Sequence, residues 1–266
     1  MSIITVTQGT LEYLAAEGIP APHAFTTRRG GVSKGYLESL NLALHRGDEP
    51  ENVAENYRIL GKALGFSPEN LVLAHQTHSD TVRAVTKADC AGPDHHAYPA
   101  CDALITNDPG VALAVFTADC TPILLYDPVT GAVGAVHAGW RGTAAGIAGK
   151  AALAMAETYG CDTADIRAAI GPNIGFCCFE TDANVPEAMR DAYGAEAEKW
   201  IRPSGEKYYV NLKEINALSL ENAGVRRIEI SEECTMCQPQ RFWSHRVTRG
   251  IRGSQGAIIV RKEGTP

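Results

Sequence analysis

The segment from Thr117 to Gly142 holds a cysteine and a histidine whose spacing suits joint chemistry. It reads TADCTPILLYDPVTGAVGAVHAGWRG, with two apolar runs around a DPVTG turn sequence. A hairpin centred on this turn pairs residues whose numbers sum to about 257. Cys120 and His137 meet that sum, so we expect them opposite each other on one face, with Cβ atoms about 5 Å apart. They could be two ligands of one metal ion or a nucleophile and its base.

A catalytic zinc site also needs a third protein ligand, because such sites use three ligands and keep a fourth position open. His75 and His78, in the HQTHSD sequence that follows an apolar run, are the candidates, and their spacing does not choose between them. His95 and His96 lie in the irregular stretch 91–99, where we expect solvated side chains. Thiolate and imidazole are both favoured zinc ligands, so a His–Cys–His set is chemically sound.

Two further features are candidates for substrate chemistry. The stretch 28–35 reads RRGGVSKG, in which glycines allow backbone N–H groups to converge on an anion and Arg28 adds a bidentate guanidinium. It lacks the residue order of a P-loop, and by itself it reads as a solvated basic turn. Asp119 lies beside Cys120 and is a candidate base, although on an extended strand its side chain faces away from that of Cys120.

The remaining cysteines give a weaker pattern. Cys234 and Cys237 form a C-x-x-C sequence, but no second C-x-x-C stands at zinc-finger spacing, so we do not expect a zinc finger. The deaminase signature, H-x-E followed by P-C-x-x-C, is also missing. Cys177 and Cys178 are interpreted as two ordinary reduced thiols.

Short runs rich in β-branched residues, bounded by Gly, Pro, Asp or Asn, predict strands. They span 71–74, 81–86, 103–106, 111–116, 123–126, 132–137, 166–170 and 257–260. Helices are predicted at 51–64, 143–158, 181–193 and 212–223. Because several strands follow one another without helices between them, we expect an α+β (mixed α/β) fold with a mixed or antiparallel sheet and helices outside it. No linker divides the chain, which favours a single domain over residues 1–266.

Composition excludes several classes of function. The 266 residues carry a net charge of −7, which argues against a nucleic-acid binder with a basic surface. The longest apolar stretches are too short to span a membrane, and no secretion signal is recognised. With reduced thiols as the default, we expect a cytoplasmic protein.

The chain resembles the YfiH-like, or laccase-domain, family, whose members are variously called multicopper polyphenol oxidases and purine nucleoside phosphorylases of the peptidoglycan-editing-factor type. The ADC-x-P and HAGWRG motifs are together highly specific for it. The matching motifs are TR (27–28), GGVS (30–33), SLNL (39–42), GD (47–48), Val53 with EN (55–56), QTH (76–78), DALIT (102–106), ADCTP (118–122), HAGWRG (137–142), GP (171–172), IG (174–175), Glu180, CT (234–235) and SHR (244–246).

The resemblance implies a sandwich of two mixed β-sheets flanked by helices, and it allows a monomer or weak oligomer. It implies zinc bound by His78, Cys120 and His137, which leaves His75 as a neighbour. It also suggests that Arg28 borders the active site and holds phosphate or ribose, and it places Asn41 among the matched positions as a further substrate-binding candidate.

The function implied is a zinc-dependent purine nucleoside phosphorylase acting on adenosine, inosine and guanosine, with adenosine deamination as a second activity. Its partners would be small molecules, namely a nucleoside and phosphate. The alternative is a metal-free hydrolase or amidase in peptidoglycan precursor editing, with Cys120 as nucleophile and His137 as base. A copper polyphenol oxidase is disfavoured, because the eight His include no H-x-H pair from which a multicopper cluster could be built.

Overall fold

The computed structural model describes residues 2–93 and 99–263. The strands are β1 (Ile3–Gln8), β2 (Leu11–Ala16), β3 (His23–Thr26), β4 (Leu71–Leu73), β5 (Val82–Ala84), β6 (Ala103–Thr106), β7 (Ala112–Thr117), β8 (Thr121–Tyr126), β9 (Val133–Ala138), β10 (Arg167–Ile170), β11 (Glu180–Thr181), β12 (Ile201–Ser204), β13 (Lys207–Val210), β14 (Arg227–Ile230) and β15 (Gln255–Val260). The α-helices are α1 (Pro50–Leu64), α2 (Trp140–Ala144), α3 (Ile147–Tyr159), α4 (Asn184–Tyr193), α5 (Leu212–Asn222) and α6 (His245–Thr248).

Two six-stranded mixed sheets form the centre of the fold. The first sheet has the order β1-β2-β3-β15-β7-β4, and the second has the order β14-β10-β8-β9-β6-β5. In the first sheet β4 and β7 are parallel, whereas the other pairs are antiparallel. In the second sheet each edge strand is parallel to its neighbour. A small third sheet, β11-β13-β12, lies apart from both.

The apolar side chains fall into layers because successive residues of a strand point to opposite faces. Leu113 and Val115 of β7 belong to one buried cluster with Leu124 of β8, so this cluster fills the space between the two sheets. Ala112 and Ala114 of the same strand point the other way, where α1 covers the first sheet. The outer face of the second sheet packs against α3 and α5. The expected sandwich of mixed sheets flanked by helices is confirmed.

The predicted elements are present, with two differences in the helices. The helix predicted at 143–158 is divided into α2 and α3, because Gly146 takes a left-handed conformation (φ 75°) between them. The helix predicted at 181–193 begins at Asn184, since residues 180–181 pair with β13 instead. Pattern reasoning did not identify β1, β2, β3, β12, β13 or β14 as strands.

His95 and His96, which we expect to be solvated, lie outside the described residues. Within the described ranges, no helix has both the length and the apolar character that crossing a membrane requires.

Candidate functional site

The hairpin of β8 and β9 forms, but its register is shifted by two positions from the prediction. Pro122, rather than Cys120, lies opposite His137. The turn is wider than assumed, because Asp127 accepts hydrogen bonds from the backbone of Val129 and Thr130 and donates its own N–H to Ala132. A shift of two preserves the face of every side chain, since strand side chains repeat every two residues. Cys120 and His137 therefore still converge, as diagonal rather than direct neighbours.

Three candidate ligands meet at this point. The ligand atoms of His78, Cys120 and His137 all lie within 4.8 Å of one another. The two imidazole rings stand edge to face, with centroids 4.9 Å apart. His75, which the spacing left as an alternative, lines the adjoining cavity but does not belong to this group.

Asp102, at the start of β6, organises two of these three residues. Its buried carboxylate accepts a hydrogen bond from Nδ1 of His137 at 2.7 Å. It also accepts backbone N–H bonds from Thr77, His78 and Ser79, at 3.1, 3.0 and 2.7 Å. Burial by itself would raise the pKa of Asp102, but the hydrogen bonds from His137 and Ser79 hold it well below its usual range. One ionised carboxylate thus fixes the ring of His137 and the backbone that carries His78.

The loop that carries His78 is held tightly on its other side as well. The side-chain amide of Gln76 donates to the carbonyl of Phe116 at 2.7 Å and accepts from its N–H at 2.6 Å, which extends the edge of β7. His78 itself has a left-handed backbone (φ 61°), a strained conformation for a residue with a side chain. Such strain persists only where the surrounding contacts determine the conformation, as those of Asp102 and Gln76 do here.

The pKa values of the two histidines shift in opposite directions. Burial lowers the pKa of His137, but interactions with Cys120 and then with the Asp102 carboxylate raise it to about 9. Burial, followed by the charge of His137, lowers the pKa of His78.

The residues present fit a zinc ion. Since Nδ1 of His137 bonds to Asp102, its Nε2 is left to serve as a ligand, an arrangement common around protein-bound zinc. Three ligands of the His–Cys–His type, open on one side to a cavity, match the donor set of a catalytic zinc site. Without a metal, Cys120, His137 and Asp102 have the arrangement of a Cys–His–Asp nucleophile system.

Asp119 lies beside the group, and its carboxylate is held by the segment 235–246. Its backbone is left-handed (φ 92°), and its buried carboxylate accepts bonds from Thr235 Oγ1 at 2.7 Å, Ser244 Oγ at 3.1 Å and the N–H of Arg246 at 2.7 Å. The expectation that its side chain faces away from Cys120 stays a prediction. The three hydrogen bonds lead to the segment 235–246, so Asp119 anchors that segment beside Cys120.

A cavity of about 610 Å³ opens next to the three candidate ligands, and cations line it. They are Arg46, Arg246 and Arg252. Burial, and then the charge of Arg46, lowers the pKa of Arg252 to about 10. The Nε–H of Arg252 is buried and has no hydrogen-bond partner among the described residues. Two adjacent guanidinium groups at one cavity wall form a site suited to an anion.

Arg28 and Asn41, the two predicted substrate-binding residues, are not brought to this cavity surface. Arg28 lies against a separate, smaller depression, where its guanidinium donates to the carbonyls of Glu38 and Pro239 and stacks on Trp243. Arg28 does not border this cavity as expected, because its guanidinium is hydrogen-bonded to these carbonyls and stacked on this ring. Asn41 is fully buried and bonds to Asp48 and to the N–H of Ser254, so it supports the wall of the cavity from behind.

Pattern reasoning missed the roles of Asp102, Gln76 and Arg252. Asp102 and Gln76 do stand within matched motifs, which is the one signal that marked them. Arg252 has no such signal, because its placement depends on how the approach to β15 packs against Arg46 and Ser254.

Comparison with known proteins agrees with this description. Residues 22–262 match the family model described as multi-copper polyphenol oxidoreductase laccase. A relative from Geobacillus stearothermophilus, named purine nucleoside phosphorylase YlmD, is 41% identical over 90% of this chain and 89% of its own length. A purine nucleoside phosphorylase from Deinococcus radiodurans is 37% identical over 96% of this chain and 95% of its own.

Solved structures show the same similarity in three dimensions. The crystal structure of YlmD from Geobacillus stearothermophilus matches with a TM-score of 0.92 and 39% identity, covering 98% of this chain and all of that one. A Bacillus licheniformis protein called YfiH matches with a TM-score of 0.88 over 95% of this chain and 97% of its own, at 36% identity. The chain therefore belongs to the laccase-domain, YfiH-like family that its motifs indicate.

Proposed function

We propose that this protein is a zinc-dependent purine nucleoside phosphorylase, which converts a nucleoside and phosphate into the free base and ribose 1-phosphate. One observation carries the proposal: His78, Cys120 and His137 converge beside a cavity whose wall also holds Arg46, Arg246 and Arg252. A cation site next to an anion site is what a phosphate-dependent cleavage needs. The names of the relatives from Geobacillus and Deinococcus support this assignment.

Each residue has a defined task in this proposal. His78, Cys120 and His137 hold the ion, which when bound supplies Lewis acidity toward a substrate or water oxygen. Asp102 orients His137 and the His78 loop, and Asp119 keeps Arg246 at the cavity. Arg252 and Arg46 bind phosphate and place it against the sugar, where holding two reactants together lowers the entropic part of the barrier. Adenosine, inosine and guanosine are the proposed substrates, with adenosine deamination as a second activity.

The test is nucleoside turnover with and without phosphate, together with zinc content, in the wild type and in Cys120→Ser. We expect ribose 1-phosphate to form only when phosphate is present, and both zinc at this site and turnover to be lost in Cys120→Ser. Cys90→Ser is the matched control, because Cys90 bonds to the carbonyl of Asn70 outside this cavity. Full turnover by a Cys120→Ser protein that lacks zinc at this site, or cleavage independent of phosphate, would refute the proposal.

A second candidate is a metal-free hydrolase or amidase in peptidoglycan precursor editing. It is favoured by the connected Cys120, His137 and Asp102, in which Cys120 and Asp102 raise the pKa of His137 to about 9. Alkylation separates the two functions. A metal-free protein that hydrolyses amides and loses that activity when Cys120 alone is alkylated would support the hydrolase, whereas activity that returns only with zinc would support the phosphorylase.

We also propose a domain organisation and a cellular location for the enzyme. We take residues 1–266 to act as one domain, supported by a family match that runs without a break from 22 to 262. A cytoplasmic location is supported by the eight free cysteines, since thiols remain reduced there.

A further inference from the structure

Four cysteines that are far apart in the sequence come together away from the cavity. Cys177 and Cys178 lie in the loop after β10, and Cys234 and Cys237 lie in the turn after β14. The four Sγ atoms are all within 4.8 Å of one another. The Sγ of Cys237 lies 3.6 Å from that of Cys177 and 3.4 Å from that of Cys178. Pattern reasoning did not connect the C-x-x-C sequence with Cys177 and Cys178, which the fold brings together.

The spacing of these sulfur atoms matches one tetrahedral ion. With zinc–sulfur bonds of about 2.3 Å, the sulfur atoms of a tetrahedral site lie about 3.8 Å apart. We propose that Cys177, Cys178, Cys234 and Cys237 bind a zinc ion at a second site, distinct from the group formed by His78, Cys120 and His137. Four protein ligands leave no open position, which is typical of structural rather than catalytic zinc.

Hydrogen-bond donors and a cation surround Cys234, one of the four proposed ligands. The Sγ of Cys234 accepts a hydrogen bond from the backbone N–H of Gly175 at 3.2 Å and another from the backbone of Cys237. The buried ammonium of Lys213 donates to the carbonyl of Glu233 at 2.7 Å and interacts electrostatically with Cys234. Backbone donors and a nearby cation together offset the negative charge that a zinc tetrathiolate carries.

The second ion would join two segments that hold the catalytic group. Asn173 and Cys234 form a bridge between the segments, and Thr235 donates its N–H to the carbonyl of Asn173 at 2.9 Å. Both segments then reach Asp119: Thr235 Oγ1 bonds to its carboxylate, and the N–H of Ile174 bonds to its carbonyl at 2.9 Å. Zinc bound by the four cysteines would therefore fasten the wall of the cavity one residue away from Cys120.

The experiment counts zinc per chain in protein purified under reducing conditions from zinc-supplied cells. We expect two equivalents in the wild type and in the control Cys90→Ser. One equivalent should remain in Cys120→Ser and one in the double variant Cys177→Ser/Cys237→Ser. Because the double variant can fail to fold, X-ray absorption at the zinc edge is measured on Cys120→Ser, where we expect four sulfur neighbours at about 2.3 Å.

The outcomes separate this proposal from the catalytic one. If the catalytic proposal alone fails, the wild type and Cys120→Ser each hold one zinc with four sulfur neighbours. The second site is refuted if Cys120→Ser holds no zinc, or if its zinc has nitrogen neighbours. It is also refuted if iron replaces zinc, or if peptide mapping of protein alkylated as isolated, before any reductant is added, shows a disulfide between Cys237 and either Cys177 or Cys178.

Discussion

At the scale of single residues, the candidate site depends most on a side chain that is not itself a proposed ligand. Asp102 receives hydrogen bonds from the His137 ring and from three consecutive backbone N–H groups around His78. A buried carboxylate with that many donors stays ionised and rigid. Two of the three proposed ligands, His78 and His137, therefore depend on Asp102, and a substitution of Asp102 affects both.

We predict that Asp102→Asn weakens zinc binding about 10- to 100-fold, the usual effect of removing the group that orients a ligating histidine. The amide keeps the shape but removes the charge and one acceptor. The measurement is zinc affinity by competition with a chromophoric chelator. Asp108→Asn, which changes a carboxylate that accepts the Lys87 N–H, is the control and should bind zinc normally. Equal affinities in the two variants would contradict the role of Asp102.

Arg252 allows a second prediction at this scale. Arg252→Met should raise the KM for phosphate about tenfold or more, because a hydrogen bond to a charged group contributes about 1.5–3 kcal/mol and 1.4 kcal/mol corresponds to a factor of ten. Arg28→Met should leave this KM unchanged, since the Arg28 guanidinium is engaged by Glu38, Pro239 and Trp243. Initial rates at varied phosphate concentration give the KM of each variant. A raised KM in Arg28→Met, with an unchanged KM in Arg252→Met, would instead make Arg28 the phosphate ligand.

At the scale of elements, the β8–β9 hairpin and the residue after it bring the proposed ligands together. Gly139 follows β9, and a Cβ at this position would lie 2.4 Å from Nδ1 of His78 and 3.6 Å from Sγ of Cys120. Real Cβ atoms do not approach other atoms that closely, so the His78 ring would have to move. Glycine is needed here for close approach, not for an unusual backbone, because its φ is −69°.

Gly139→Ala should therefore displace His78 and reduce zinc at the His–Cys–His site while leaving the fold intact. Gly134→Ala, within the preceding strand β9, is the matched control, because a Cβ there would meet its neighbours at an ordinary 3.4 Å. Zinc per chain is measured in the Cys177→Ser/Cys237→Ser background, so that only one site is counted. Full zinc occupancy in the Gly139→Ala protein would show that the ring is not displaced.

At the scale of the whole molecule, the site lies where the chain crosses between the two sheets. His78 lies between β4 of the first sheet and β5 of the second. Cys120 lies between β7 of the first sheet and β8 of the second. The spacing of the sheets therefore sets the distance between these side chains, and the packing between the sheets matters for the chemistry as well as for stability.

One close contact between the sheets can be tested directly. A Cβ on Gly171, just after β10, would lie 2.3 Å from the ring of Phe25 in β3. Gly171→Ala should lower the free energy of unfolding by about 1–3 kcal/mol, the usual cost of overpacking. Urea denaturation measures this free energy of unfolding. The double variant Phe25→Leu/Gly171→Ala should lose less than the sum of the single changes, and strict additivity would show that the two residues do not compete for space.

Local pattern was sufficient for some features of this protein. Short apolar runs rich in β-branched residues and bounded by turn residues located the central strands. The two-residue period of a strand kept Cys120 and His137 on one face although the register was shifted. These features depend on residue type and on neighbours close in the chain, so the sequence by itself determined them.

Only the tertiary structure decided the rest. It placed Arg252 at the cavity and Arg28 away from it, connected Asp102 to both histidines, and gathered Cys177 and Cys178 with the C-x-x-C turn. These contacts join residues that are 24 to 60 positions apart, or that meet only through sheet packing. No local period encodes such contacts, because they are set by the way two sheets and their connecting loops close around a shared core.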